Sequence, residues 1–187
     1  MEKGLAKARG IGPLKIVITG PESTGKSTLA ELLAKQYHTV FIPEYARAYI
    51  EKLSRPYNFT DLEHIAHRQA DDLKKYESLA NGILFLDTYL IITKVWFNVV
   101  YKRCPDWVND FIRSSEIDLY LLCSTDLPWE PDPVRENGGE MRETLFEMYK
   151  NELEYFGLKY RVVQGLGSER LDNTIRIVDE FLNEINS

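Results

Sequence analysis

The residues best equipped for chemistry lie between Ile18 and Leu33, in ITGPESTGKSTLAELL. Gly20, Gly25, Lys26 and Ser27 match the spacing Gly-x-x-x-x-Gly-Lys-Ser. Glycines let successive backbone N–H groups turn toward oxyanions, and the helix that follows adds the positive end of its dipole. Lys26 is then placed for the β- and γ-phosphates, and the Ser27 hydroxyl for one position around Mg²⁺. Glu22, Ser23 and Thr24 within the loop, with Thr28 just after it, complete the set expected to bind ATP. Such a loop holds a phosphate chain but does not name the acceptor.

Other candidates lie further along the chain. Asp87 closes the apolar run ILFL, where a carboxylate suits Mg²⁺, directly or through water. The competing reading has Asp87 or Thr88 capping a helix that begins near Tyr89. Glu44, in PEYAR, is read as a substrate-side base or hydroxyl anchor, and otherwise as a helix first-turn acid. Either Glu44 or Asp87 can serve as the base, and Arg47 is placed with the substrate. The segment Thr125–Arg142 is long for a loop and predicts a lid. Its Arg135 and Arg142 suit a moving phosphoryl group, unless both are merely solvated.

Gln69 interrupts a helical apolar stripe of Leu62, Ile65/Ala66, Leu73, Tyr76 and Ala80, and so must find hydrogen-bond partners. A core group or the polar edge of a substrate would serve. GLGSER, after the last strand, either wraps the adenine or starts the final helix, whose stripe is Leu171, Ile175, Val178, Leu182 and Ile185. His64 and His67 stand three apart, but no acid or cysteine is placed to complete a metal site with them, so they read as solvated or hydrogen-bonded.

The elements that must position these groups are apolar strands separated by helical patterns. Strands are expected at residues 15–19, 39–42, 83–86, 118–123 and 160–163. Strand–helix alternation implies parallel βαβ units with ligands outside the carboxyl ends of the strands. Charged and glycine-rich residues follow the strands, which is the pattern of a cleft.

The chain has 187 residues, 44% hydrophobic and 28% charged, with a net charge of −6. This predicts one domain over residues 15–187 with a flexible tail over 1–14. The negative charge, with no basic stripe, argues against a nucleic-acid surface. No apolar run approaches the ~20 residues that span a bilayer, and the basic N-terminal stretch lacks the apolar core of a signal peptide. Cys104 and Cys123 lack metal-ligand spacing and make no disulfide framework. A cytoplasmic protein is the expectation.

Taken together, GPESTGKSTL, PEYAR, HRQ, LDTYLIITKVW, DLYLL and PWEPDPVR resemble the kinase domain of the NAD-biosynthesis regulator family, from about Lys15 to Val178. That domain is a ribosylnicotinamide kinase, which phosphorylates nicotinamide riboside with ATP. The resemblance implies an α/β P-loop kinase fold, three-layer α/β/α with a five-stranded parallel sheet and a lid after the fourth strand. It also implies ATP and Mg²⁺ as cofactors, and formation of nicotinamide mononucleotide in NAD salvage. Two departures stand out. The chain has room for neither the family's adenylyltransferase domain nor its DNA-binding domain, so a stand-alone kinase is expected. Tyr89 replaces the second acid of the family's Asp-Thr-Asp, which bears on substrate identity. Alternative readings are a kinase for another nucleoside-like alcohol, and an ATPase switch that binds a protein partner. No Asn-Lys-x-Asp motif is present, which argues against a GTPase.

Overall fold

LKIVIT is apolar and β-branched, and it forms β1 (Leu14–Thr19), the middle strand of the sheet. The computed structural model describes residues 12–132, 135 and 137–187. Positions 1–11 of the expected tail lie outside the described residues, and Leu14 already belongs to β1. Around β1 stand β2 (Phe41–Ile42), β3 (Ile83–Asp87), β4 (Leu119–Cys123) and β5 (Tyr160–Val163). Among the described residues these form one five-stranded sheet in the order β2-β3-β1-β4-β5, and every neighbouring pair is parallel.

β2 is shorter than expected because Thr39 is engaged elsewhere. Its N–H donates to Ala34 O at 2.9 Å and its hydroxyl to Ile83 O at 2.6 Å. β3 runs one residue further than expected and takes in Asp87.

Side chains alternate across the sheet. Ile16 and Ile18 join α1 (Lys26–Gln36) and α7 (Gly167–Asn186) in one core, through Leu29, Leu33, Val178 and Phe181. Val17 points the other way. There it meets α3 (Phe59–Glu77), α4 (Leu90–Tyr101), α5 (Asp106–Ser114) and α6 (Glu140–Tyr155), with the short α2 (Tyr45–Ile50) at the margin. This is the expected three-layer α/β/α arrangement. The stripe on α3 holds: Leu62, Ile65, Ala66, Gln69 and Leu73 are buried. On α7 the buried line is Arg170, Thr174, Val178, Phe181 and Leu182, while Leu171, Ile175 and Ile185 are only partly covered.

Candidate active site

The phosphate loop crosses the top of β1 at the centre of the sheet. At Gly20 a Cβ would lie 2.7 Å from Cys123 O, so only glycine lets the loop leave β1 this close to the end of β4. Gly25 is the N-cap of α1 with φ 75°, in the left-handed region, and the first turn of α1 carries no acidic residue. The dipole end of α1 is therefore left to an anion. Thr24 Oγ1 and Lys26 Nζ donate to Pro21 O at 2.8 and 2.7 Å, which closes the loop on itself.

Asp87, beside Ile18 in the β1–β3 register, is 3% exposed. Burial raises its pKa, while the Ser27 hydroxyl, Lys26 and the Glu44 N–H oppose that rise. Its Oδ1 is buried without a hydrogen-bond partner. An unpartnered carboxylate oxygen with a serine hydroxyl close by supplies two of the hard oxygen donors that Mg²⁺ takes alongside water and phosphate, so Ser27 and Asp87 fit Mg²⁺. The helix-cap alternative does not hold. The N-cap of α4 is Tyr89, and Thr88 is left-handed at φ 68°.

Glu44 occupies the N-cap of α2, but its side chain caps nothing and lines the cleft instead. Burial raises its pKa, and nearby Asp87 and Glu22 push the same way against Lys26 and Arg47.

The chain between β4 and α6 lies over the phosphate loop. Glu22 accepts from Asn137 N and Nδ2 at 2.9 and 3.0 Å. Ser23 Oγ donates to Pro128 O at 3.2 Å and accepts from Glu130 N at 3.0 Å. Arg135 lines the cleft, its Nη1 donating to Glu130 O at 2.5 Å. Arg47 also lines it, and ties α2 to the β4–α6 segment through Asp132 Oδ2 at 2.6 Å.

Asp87 is not among the lining residues and sits just behind Ser27 and Lys26, and two other expected site residues are placed farther off. Arg142 belongs to α6, which begins at Glu140, so the last three positions of the expected lid are helical. It is buried and outside the cleft lining, because its guanidinium turns to the carbonyls of Leu127 and Ser23. Gln69 is also outside the lining and accepts a core hydrogen bond from Thr93. GLGSER opens α7 at Gly167, and its Arg170 is buried against Asp126. His64 bonds the Tyr45 hydroxyl and His67 stacks on Trp107.

The cleft encloses about 360 Å³ and joins two chemistries. One part is the phosphate loop with Glu44, Arg47 and Arg135. The other is apolar and aromatic, formed by Ile50, Tyr57, Ile92, Trp96, Val99 and Tyr149. Trp96 Nε1 donates to the Tyr57 hydroxyl at 3.1 Å, and the two rings meet edge to face at 4.9 Å. Sequence reasoning missed this part, because Trp96 and Val99 read as ordinary core on an apolar helix and an aromatic at position 57 has no spacing to announce it.

A phosphate loop on the central strand of a five-stranded parallel sheet gives the fold of the P-loop kinases. Consistent with this, a family model described as an AAA domain matches residues 15–170. The chain belongs to that family. It is 29% identical over 182 residues to the trifunctional NAD biosynthesis/regulator protein NadR of Salmonella typhimurium, across 90% of this chain and 43% of that protein. A NadR structure in complex with NAD and AMP-PNP superposes with a TM-score of 0.74 at 26% identity, covering 91% of this chain and 50% of that one. Deoxyadenosine kinase from M. mycoides shares the fold, with a TM-score of 0.63 at 17% identity over 89% of this chain and all of that one. The chain thus spans less than half the length of the curated relative it matches. The likeness to the NAD-biosynthesis regulator proteins, first drawn from short motifs, extends over nine-tenths of the chain. No helix among the described residues is long and apolar enough to cross a membrane.

Proposed function

We propose that the protein is an ATP- and Mg²⁺-dependent phosphotransferase acting on a nucleoside-like alcohol, with nicotinamide riboside the first candidate. The observation that carries this reading is the single cleft that joins a phosphate loop to an aromatic pocket, with Glu44 lining it and Asp87 beside Lys26 and Ser27. The aromatic part suits a flat base ring. The likeness to NadR, one structure of which was solved in complex with NR, supports the nicotinamide form of that base.

Ser27 and Asp87 would hold Mg²⁺, which supplies charge neutralisation to the phosphate oxygens. Glu44 takes the proton of the acceptor hydroxyl. Its pKa is raised by burial, which brings it closer to the range of an efficient base. The hydroxyl oxygen forms its bond to the γ-phosphorus as the bond to the β-phosphate oxygen breaks and ADP leaves. Lys26 and Arg135 meet the charge on the transferring group. Asp87 lies deeper, against Ser27, and is assigned to the metal rather than to the proton.

The test is a mass-spectrometric screen of ribonucleosides and deoxyribonucleosides with ATP and Mg²⁺, with Lys26→Ala as the control. Nicotinamide riboside should be converted to its monophosphate. Preference for another nucleoside would replace the acceptor and keep the kinase. ATP hydrolysis indifferent to every acceptor would replace the kinase with a nucleotide switch.

A further inference from the structure

Two arginines serve the phosphate loop without lining the cleft. Arg142 on α6 and Arg170 on α7 are 7% and 5% exposed. Both direct their guanidinium groups at backbone carbonyls. Arg142 Nη2 donates to Ser23 O at 3.3 Å and to Leu127 O at 2.9 Å. Arg170 Nη2 donates to Thr24 O at 3.1 Å and to Ser124 O at 3.2 Å. Its Nη1 reaches Asp126 Oδ1 at 2.6 Å and Gly165 O at 3.1 Å.

Ser23 O and Thr24 O are successive carbonyls of the phosphate loop, gripped by helices from opposite faces of the sheet. Each arginine keeps its Nε buried without a partner.

The geometry of the peptide bond gives the grip its meaning. In a planar trans peptide the C=O and N–H point in opposite directions, and the described residues contain no cis peptide. Holding Ser23 O and Thr24 O outward turns the N–H groups of Thr24 and Gly25 inward. Ser23 and Gly25 have φ of 57° and 75°, the kind of left-handed turn that gathers N–H groups into an anion-binding nest.

We propose that Arg142 and Arg170 are positioning residues that lock two consecutive peptide planes of the phosphate loop with their N–H groups facing the phosphate chain. Arginine suits the task because its planar fork can bridge carbonyls from two loops, which an ammonium group cannot do with fixed geometry. This inference rests on the nucleotide-binding part of the proposed function and is independent of the acceptor.

The test uses the full chain without acceptor. A fluorescent ATP analogue is displaced by AMP and by ADP, in the unmodified chain and in Arg170→Met and Arg142→Met. ADP should bind the unmodified chain more tightly than AMP, and that ratio should shrink about tenfold in each variant, the scale of one hydrogen bond to a charged group. Simple destabilisation weakens both nucleotides together and leaves the ratio alone. A ratio within about twofold of the unmodified value in a folded variant overturns the proposal, whatever the melting temperature. Should Arg170→Met not fold, Arg170→Lys, which keeps the charge but loses the fork, is measured in its place. An unchanged ratio there overturns the proposal as well. Failure of the unmodified chain to bind any of these nucleotides would defeat the nucleotide reading itself, and the proposal with it.

Discussion

The hydroxyl of Thr93 donates to Oε1 of Gln69 at 2.7 Å, joining α4 to α3 inside the core. Thr93 is 1% exposed, so Gln69→Leu leaves a buried hydroxyl without this acceptor, at about 1–3 kcal/mol. The melting temperature should fall by about 2–4 °C for each kcal/mol, and the KM for the acceptor should stay unchanged. Thermal denaturation and an acceptor titration on the one variant check both. A raised acceptor KM with no loss of stability would return Gln69 to the substrate.

Asp87→Asn should separate activity from stability. Burial raises the folded pKa of Asp87, so the folded chain holds this proton more tightly than the unfolded chain. The stability it contributes is complete below the ordinary carboxylate pKa and is lost as pH rises through the folded value. At neutral pH the ionised group is therefore a burden that asparagine removes. The variant should melt higher at pH 7, and that advantage should disappear below the ordinary carboxylate range. Turnover should fall by at least about 100-fold, with a higher Mg²⁺ requirement. Melting curves at several pH values and an Mg²⁺ titration of the rate are the measurements.

Trp96→Ala should act on the acceptor alone. Stacking of a base on an aromatic side chain is worth about 1–3 kcal/mol, so the acceptor KM should rise by roughly fivefold to a hundredfold. The KM for ATP should hold, since the phosphate loop is built from other residues. Equal changes in both constants would mean that the aromatic part of the cleft is structural.

Tyr89→Asp should not create a new substrate preference. The Tyr89 side chain is 1% exposed, packed in the core of α3–α6, and absent from the cleft lining. An aspartate at this N-cap position would gain about 1 kcal/mol, against about 3–5 kcal/mol for a large aromatic lost from a core. The variant should be less stable with the same order of acceptors. Denaturant titration and the nucleoside screen test the two halves.

The parts of the site that sequence could show are those whose residue types have few other uses. Gly20, Gly25, Lys26 and Ser27 have fixed spacing, and Asp87 ends a strand that is otherwise apolar, so chemistry and periodicity agreed. Arg142 was placed in the loop because α6 has glycine, Gly139, at its N-cap and no side-chain cap, so the acids of its first turn, Glu140 and Glu143, were the only start signal. Arg170 was passed over because GLGSER offered only an adenine wrap or a helix start, and the packed structure is what brings Thr24, Ser124 and Asp126 to it. Gln69 had its partner one helix away, which pattern alone does not reveal.

The order of the elements along the chain gives the sheet topology a further meaning. β1 precedes both of its sheet partners by a long stretch of chain, with Leu14 paired to Ile83 and Ile16 to Leu119. Arg142 lies 119 residues beyond Ser23, and Arg170 146 residues beyond Thr24. Contacts of such long range form late, because the intervening chain must first be ordered. The nucleotide site thus depends on chain that lies far beyond its own glycine loop. If Arg142 and Arg170 position the loop as proposed, the glycine loop alone does not make the site, and competence to bind nucleotide requires α6 and α7 to be docked.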